Sequence, residues 1–175
     1  DDAAVIATSS PAWWHLTTDL LAEGIHFDMK SATPESVGYR AAMANLSDIA
    51  AMGAVPRYLL ISLAIPKTWT RPHIHALYTG LMKACRLYDV TLVGGDTSTS
   101  KAGLFLSITL VGATSRRMAL FRHGAKVGDH IYVSGTLGDS LAGLTLLMDH
   151  TDSGPSRKRK SEFSRTHRAF LLRRH

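Results

Sequence analysis

Apolar positions along the chain recur at two spacings, and the alternation between them sketches the architecture. Residues 58–65 are an almost unbroken apolar run, rich in leucine and β-branched side chains, as in a buried strand, and Pro66 stops it. Over 72–88 the spacing changes: Ile74, Leu77, Tyr78, Leu81, Met82, Cys85 and Tyr88 fall at i, i+3, i+4 and i+7, one face of a helix. An earlier helix starts at Thr33-Pro34-Glu35. Thr33 suits the N-cap, Pro34 the first helical position and Glu35 the positive helix end. That helix sets Val37, Ala41, Ala44 and Ala51 on or near one face, with Gly53 as its C-cap. Further strands are expected over 13–18, ending in Asp19, over 90–93, breaking at Gly94-Gly95-Asp96, and over 104–111 and 131–134. A last helix is expected over 138–148. Strands alternating with long helices predict an α/β (α+β) sheet fold without internal repeats.

The 175 residues suffice for one sizeable domain, or one domain and part of a second. No apolar run approaches the roughly 20 residues needed to cross a bilayer, and no signal-peptide pattern opens the chain. The single cysteine, Cys85, excludes an internal disulfide framework and a cysteine-based zinc cluster. A cytoplasmic protein with no membrane partner is the expectation. The net charge of +6 raises nucleic acid as a partner, so its distribution matters. Residues 1–115 hold 8 Lys and Arg against 9 Asp and Glu, whereas residues 116–175 hold 12 against 5. The basic excess is confined to the last third, much of it in Arg157-Lys158-Arg159-Lys160 and the arginines after them. That run lies in a polar stretch, 149–168, which reads as an exposed connection, where clustered charge is usually just solvated. The expected division is a first domain over 1–115 and the start of a second over 116–175. Both ends read as cut, with Asp1-Asp2 running straight into an apolar stretch and the chain closing on an uncapped Leu171-Leu172-Arg173-Arg174-His175.

Candidate chemistry rests on carboxylates. Asp2, Asp19, Asp48 and Asp96 are spread over almost a hundred residues, yet Asp19 and Asp96 each come just past an expected strand. Loops at such strand ends build ligand sites in many sheet folds. Asp48 lies on a helix flanked by small residues (Ala41, Ala42, Ala44, Ala50, Ala51), which permit close approach. Carboxylates gathered together repel one another unless cations neutralise them. Magnesium, a hard ion that keeps several waters and needs only one or two carboxylates, is the natural candidate. The hydroxyls of Thr17, Thr18, Ser47 and Thr97 adjoin these acids. On spacing alone the alternative stays open that the aspartates only cap and solvate the backbone. No Walker A, Rossmann glycine or kinase catalytic-loop pattern is present.

Several segments resemble those of the thiamine-monophosphate kinase family, in order along the chain. They are Asp1-Asp2-Ala3-Ala4-Val5-Ile6, Thr17-Thr18-Asp19 through the Gly24-Ile25-His26-Phe27 turn, Asn45-Leu46-Ser47-Asp48-Ile49 through Ala54, and Val93-Gly94-Gly95-Asp96-Thr97. A fifth region comprises Arg122-His123-Gly124-Ala125-Lys126-Val127-Gly128-Asp129 and Val133-Ser134-Gly135-Thr136-Leu137-Gly138-Asp139-Ser140. The resemblance covers about residues 1–148. It implies the fold of the aminoimidazole-ribonucleotide-synthetase superfamily, with an N-terminal α/β domain that forms a homodimer through its sheet and a C-terminal α/β domain. It also implies direct, magnesium-assisted transfer of the ATP γ-phosphoryl group to thiamine monophosphate. Carried across, Asp2, Thr17, Thr18, Asp19, Asp48 and Asp96 would hold Mg2+, with Asp19, Asp48 and Asp96 central to catalysis. His26 would touch thiamine monophosphate, and Tyr78, Gly95, Asp96 and Arg122 would contact ATP. Such chemistry is mostly positioning and charge neutralisation, which suits clustered metals and one phosphate-binding Arg.

Residue by residue, bland readings stand beside these: His26 as a surface histidine, Tyr78 as core, Arg122 as a solvated charge. The residues expected before Asp1 and most of the C-terminal domain are missing, so the 175-residue chain alone is expected to be inactive or nearly so. Related superfamily members, aminoimidazole ribonucleotide synthetase, selenophosphate synthetase or a hydrogenase-maturation relative, are the alternative readings. A basic nucleic-acid-binding module is a remote one, because the 157–160 run lacks interleaved stacking aromatics.

Overall fold

The computed structural model describes residues 1–115 and 118–151, and the basic run at 157–160 lies outside them. The chain divides into two compact units, Asp1–Ala125 and Lys126–His175. In the first unit the elements are β1 (Ala4–Ile6), β2 (Ala12–Ala22), α1 (Pro34–Ala51), β3 (Val55–Pro66), α2 (Arg71–Leu87), β4 (Thr91–Ser100) and β5 (Phe105–Ser115). The second contributes α3 (Asp139–Thr151). The mixed sheet-and-helix class expected from the hydrophobic pattern is what forms.

Five strands make one sheet in the order β1-β2-β5-β3-β4. Only β3 and β4 are parallel, joined through α2; the other pairs are antiparallel. Period-two alternation sorts the side chains onto two faces. On one face, His15, Thr17 and Leu21 of β2, Leu59, Ile61 and Leu63 of β3, and Leu106, Ile108 and Leu110 of β5 are all buried. Above them lie Val37, Ala41 and Ile49 of α1 and Leu77, Leu81, Ala84 and Cys85 of α2, all in one core cluster. Burying each such aliphatic side chain stabilises the fold by about 1.5–3 kcal/mol. Trp14, Leu20, Tyr58 and Leu60 alternate with these residues on the strands and are exposed.

α1 starts as its sequence predicts. The Thr33 hydroxyl accepts from Ser36 N (3.1 Å), the Ser36 hydroxyl accepts in return from Thr33 N (3.0 Å), and Pro34 follows the cap. Ser36 does here what Glu or Gln does in the usual capping box. At the other end Met52 is the cap, one position before the expected Gly53, which follows at φ +66. The two helices cross closely enough that a Cβ on Gly80 would lie 1.8 Å from the Glu35 carbonyl oxygen, and one on Gly38 2.0 Å from that of Leu77. The small residues noticed around Asp48 pointed toward such an approach, but these two glycines make it.

Three expectations need correction. β2 runs on through Ala22, so Asp19 stands inside a strand instead of past its end. β4 does not break at Gly94-Gly95-Asp96 but continues to Ser100. A register shift between Leu59 and Leu60 of β3 skips Val93, and the two glycines carry the strand through this bulge. A Cβ on Gly95 would fall 1.8 Å from the Ile61 carbonyl oxygen. Residues 131–134 form no strand. Their β-branched run has no partner among the described residues of its unit, and Ile131, Tyr132 and Val133 are exposed.

Candidate functional site

β1 is only three residues long and pairs with Leu16, His15 and Trp14 of β2. Beyond Ala4, therefore, the outer edge of β2 from Thr17 onward has no strand beside it among the described residues, and Asp1-Asp2 lead into β1 at this gap. The C-terminal half of α1 crosses the same place on the covered face. There the Thr17 hydroxyl, itself buried, donates to Asp48 Oδ2 at 2.6 Å. Asp19 follows Thr17 by one full pleat, on the same face. Its burial, and next the charge of Asp48, push the Asp19 carboxyl above the usual carboxylate range, with His26 offsetting part of the shift.

His26 sits in the turn after β2, closed by a bridge between Glu23 and Phe27. Its Nδ1 accepts from Ala22 N at 3.0 Å. An accepting Nδ1 leaves the neutral ring's proton on Nε2, so the exposed imidazole offers a donor outward. On the β1 side, Arg122 grips Asp2 through Nη2 to Oδ1 (2.5 Å) and Nε to Oδ2 (3.3 Å). The hydrogen bond from Arg122 is the chief cause of an Asp2 carboxyl held below the usual range. Asp1 Oδ1 accepts from Arg122 N at 2.9 Å, a role for Asp1 that the sequence reading did not foresee.

Asp2, Thr17, Asp19, His26, Asp48 and Arg122 thus share one sheet edge. Other candidates stand elsewhere. Thr18 points to the opposite face, where its Oγ1 accepts from Thr109 Oγ1 at 3.1 Å. Asp96 is exposed on β4, at the far edge of the sheet, in register with Ser62 of β3, which pairs with Ser107 of β5, which pairs with Leu20 of β2. Three strand spacings separate β4 from β2, about 14 Å. Gly95 shares that edge. Tyr78 is half-buried on α2 and packs against the core, as its apolar helix face suggested.

Two buried polar groups underlie the site unannounced. His15 is fully buried on the same face as Thr17, with both ring nitrogens unpartnered, and burial lowers its pKa. Asn45, one turn before Asp48, donates from Nδ2 to the Ala41 carbonyl at 3.2 Å and leaves Oδ1 unpaired. An alternating His15-x-Thr17-x-Asp19 pattern is a signal that would have put His15 on the covered face.

Among the described residues no three His, Cys, Asp or Glu side chains form a ready-made metal cage. The donors present still fit magnesium, because they are all hard oxygens and such an ion needs only one or two carboxylates beside waters and phosphate. Burial is the chief cause of the raised Asp19 carboxyl, and a cation there would offset both the burial and the neighbouring charge of Asp48. No helix of the described residues is long and apolar enough to cross a membrane.

Comparison with known proteins matches residues 1–114 to the family described as AIR synthase related protein, N-terminal domain. The thiamine-monophosphate kinase of Bacillus subtilis is 36% identical over 168 residues, covering 96% of this chain and 52% of that protein. That of Aquifex aeolicus is 45% identical over 133 residues, covering 76% and 42%. A solved structure described as AaThiL complexed with AMPPCP and TMP superposes with a TM-score of 0.85 at 39% identity, covering all of this chain and 52% of that one. The chain spans about half the length of the curated relatives it matches.

Proposed function

The chain belongs to the AIR synthase related family, residues 1–114 being its N-terminal domain, and from that premise we propose that the whole protein is a thiamine-monophosphate kinase, passing the γ-phosphoryl group of ATP to thiamine monophosphate. The observation that carries this reading is the carboxylate edge itself: Asp48 held by Thr17, with Asp19 beside it and charged only at a cost. The relatives' names and the AMPPCP and TMP of the solved structure supply the substrate class.

Asp2, Asp19 and Asp48, with the Thr17 hydroxyl, would hold Mg2+, which when bound neutralises the carboxylates and the polyphosphate. Thr17 fixes the Asp48 rotamer, so one carboxylate is oriented before any ligand arrives. The outward Nε2–H of His26 donates to the phosphate of thiamine monophosphate. Arg122 supplies a two-pronged grip for ATP phosphate oxygens, which a lysine would not. Gly95 lets ATP approach the backbone of β4, and Tyr78 lies along the nucleotide's path.

Asp96 enters through a second copy of the chain, toward the sheet face on which Thr18 stands. The exposed Trp14, Leu20, Tyr58 and Leu60 make the uncovered sheet face apolar enough for a homodimer interface. A two-fold axis along the strands sets β4 of one copy against β2 of the other, which brings Asp96 of one to the carboxylates of its partner. Residues 116–175 are the start of a second domain, which includes the basic stretch at 149–168. The protein works in the cytoplasm and has no nucleic-acid partner.

The test is to incubate the full reading frame containing this segment with ATP, magnesium and thiamine monophosphate, and to follow thiamine diphosphate by chromatography. Product that falls at least 100-fold with Asp48→Asn, and vanishes with a chelator, is the expected outcome. ATP consumed only with an aminoimidazole precursor or selenide would move the activity to a sister enzyme.

A further inference from the structure

At the β1 edge the two charges assigned to opposite ligands engage each other. Arg122 engages both oxygens of Asp2, the carboxylate that would take a metal, with the guanidinium that would take a phosphate. We propose that Arg122 is a latch: it stands in for the cation at Asp2 and is exchanged for one, so that metal arrival frees the guanidinium for an anionic phosphate. This rests on the metal-site reading above and adds a regulation to it.

Three observations carry the proposal. The hold is two-pronged, so both oxygens of Asp2 are engaged, and the guanidinium's positive charge repels an incoming cation while Arg122 stays. The Arg122 side chain is 69% exposed, and solvent-exposed ion pairs are weak and exchangeable. The segment carrying Arg122 is anchored independently of the pair. Asp1 Oδ1 accepts from Arg122 N at 2.9 Å, and the Met52 carbonyl at the end of α1 accepts from Leu120 N at 3.0 Å. The side chain can therefore swing without its backbone leaving the site. The negative charge of Asp48 also favours the charged guanidinium of Arg122. The consequence is positive coupling: metal and nucleotide each relieve the other partner of the ion pair, so each binds better when the other is present.

The experiment titrates Mn2+ into the protein without nucleotide, reading bound ion by electron paramagnetic resonance, for the wild type, Arg122→Gln, Arg122→Lys and Asp48→Asn. Binding that is lost in Asp48→Asn establishes the carboxylate site. On that background Arg122→Gln is expected to bind Mn2+ about two- to fivefold more tightly, with Arg122→Lys between the two. It is also expected to lose most of the tightening that ATP gives the wild type. Unchanged or weaker Mn2+ binding in Arg122→Gln, with Asp48-dependent binding intact, overturns the latch alone. Absence of any Asp48-dependent Mn2+ binding overturns both the latch and the metal site.

Discussion

The two faces of the five-stranded sheet are made from the same strands and could hardly differ more. The covered face buries Leu59, Ile61, Leu106, Ile108 and Leu110 under two helices and keeps its carboxylates at one edge. The other face presents Trp14, Leu20, Tyr58 and Leu60 to solvent, with a line of hydroxyls from Thr18, Ser107 and Thr109. A one-residue step along β2, from Thr17 to Thr18, passes from one face to the other. Neighbouring motif residues therefore serve different surfaces, and a site that draws on both must be reached around an edge or across two copies. The difference teaches that the core is built on one face, which leaves the other face as the one proposed for association.

Paired substitutions break that comparison most sharply. Leu110→Ala, on the covered face, is expected to cost about 2–5 kcal/mol in urea unfolding. Leu60→Ser, on the open face, is expected to shift the same free energy by no more than about 0.5 kcal/mol, measured at protein concentrations where the chain is monomeric. Sedimentation at micromolar concentration should instead show Leu60→Ser as monomer where the wild type is dimer. Equal costs for the two substitutions would erase the distinction.

A smaller effect concerns His15. Its folded pKa is depressed by burial, whereas an unfolded histidine titrates near about 6.5. Above that pH both states are neutral and the ring adds no pH dependence. Below it the unfolded chain takes up a proton that the folded chain refuses, so stability falls as pH drops. Urea midpoints measured between pH 7.5 and 5.5 should decline, and His15→Leu should flatten the decline. An unchanged slope in His15→Leu would mean that the buried ring is not what senses acid.

The fold was legible where hydrophobic period and caps agree. Thr33-Pro34 marked the start of α1, and the Leu77–Leu81–Cys85 stripe marked α2. The Gly94-Gly95 pair misled, because a glycine doublet signals a turn or a bulge alike, and only pairing with β3 decides. The run at 131–134 misled for the opposite reason: β-branched residues favour strands only where a neighbour exists to accept their hydrogen bonds. At the site, spacing alone left the aspartates ambiguous, and family motifs picked out Asp2, Asp19, Asp48 and Asp96 alike. What no motif could carry is which face each residue occupies. Asp96 and Asp19 read as equivalents in sequence, yet they stand at opposite edges of one sheet. Asp1 and the Arg122–Asp2 pair depend on contacts distant in sequence and left no local trace.

The proposal that the open face joins two half-sites has a direct test by mixing inactive variants of the full-length protein. Asp48→Asn and Asp96→Asn are each expected to abolish thiamine diphosphate formation. When the two are unfolded and refolded together, half of the dimers should be mixed, and each mixed dimer should carry one intact site built from Asp48 of one copy and Asp96 of the other. Recovery of about a quarter of wild-type activity is the predicted result, by the statistics of random pairing in a two-fold dimer. Mixtures as inactive as their parents would mean that both aspartates serve the same chain, contradicting the account.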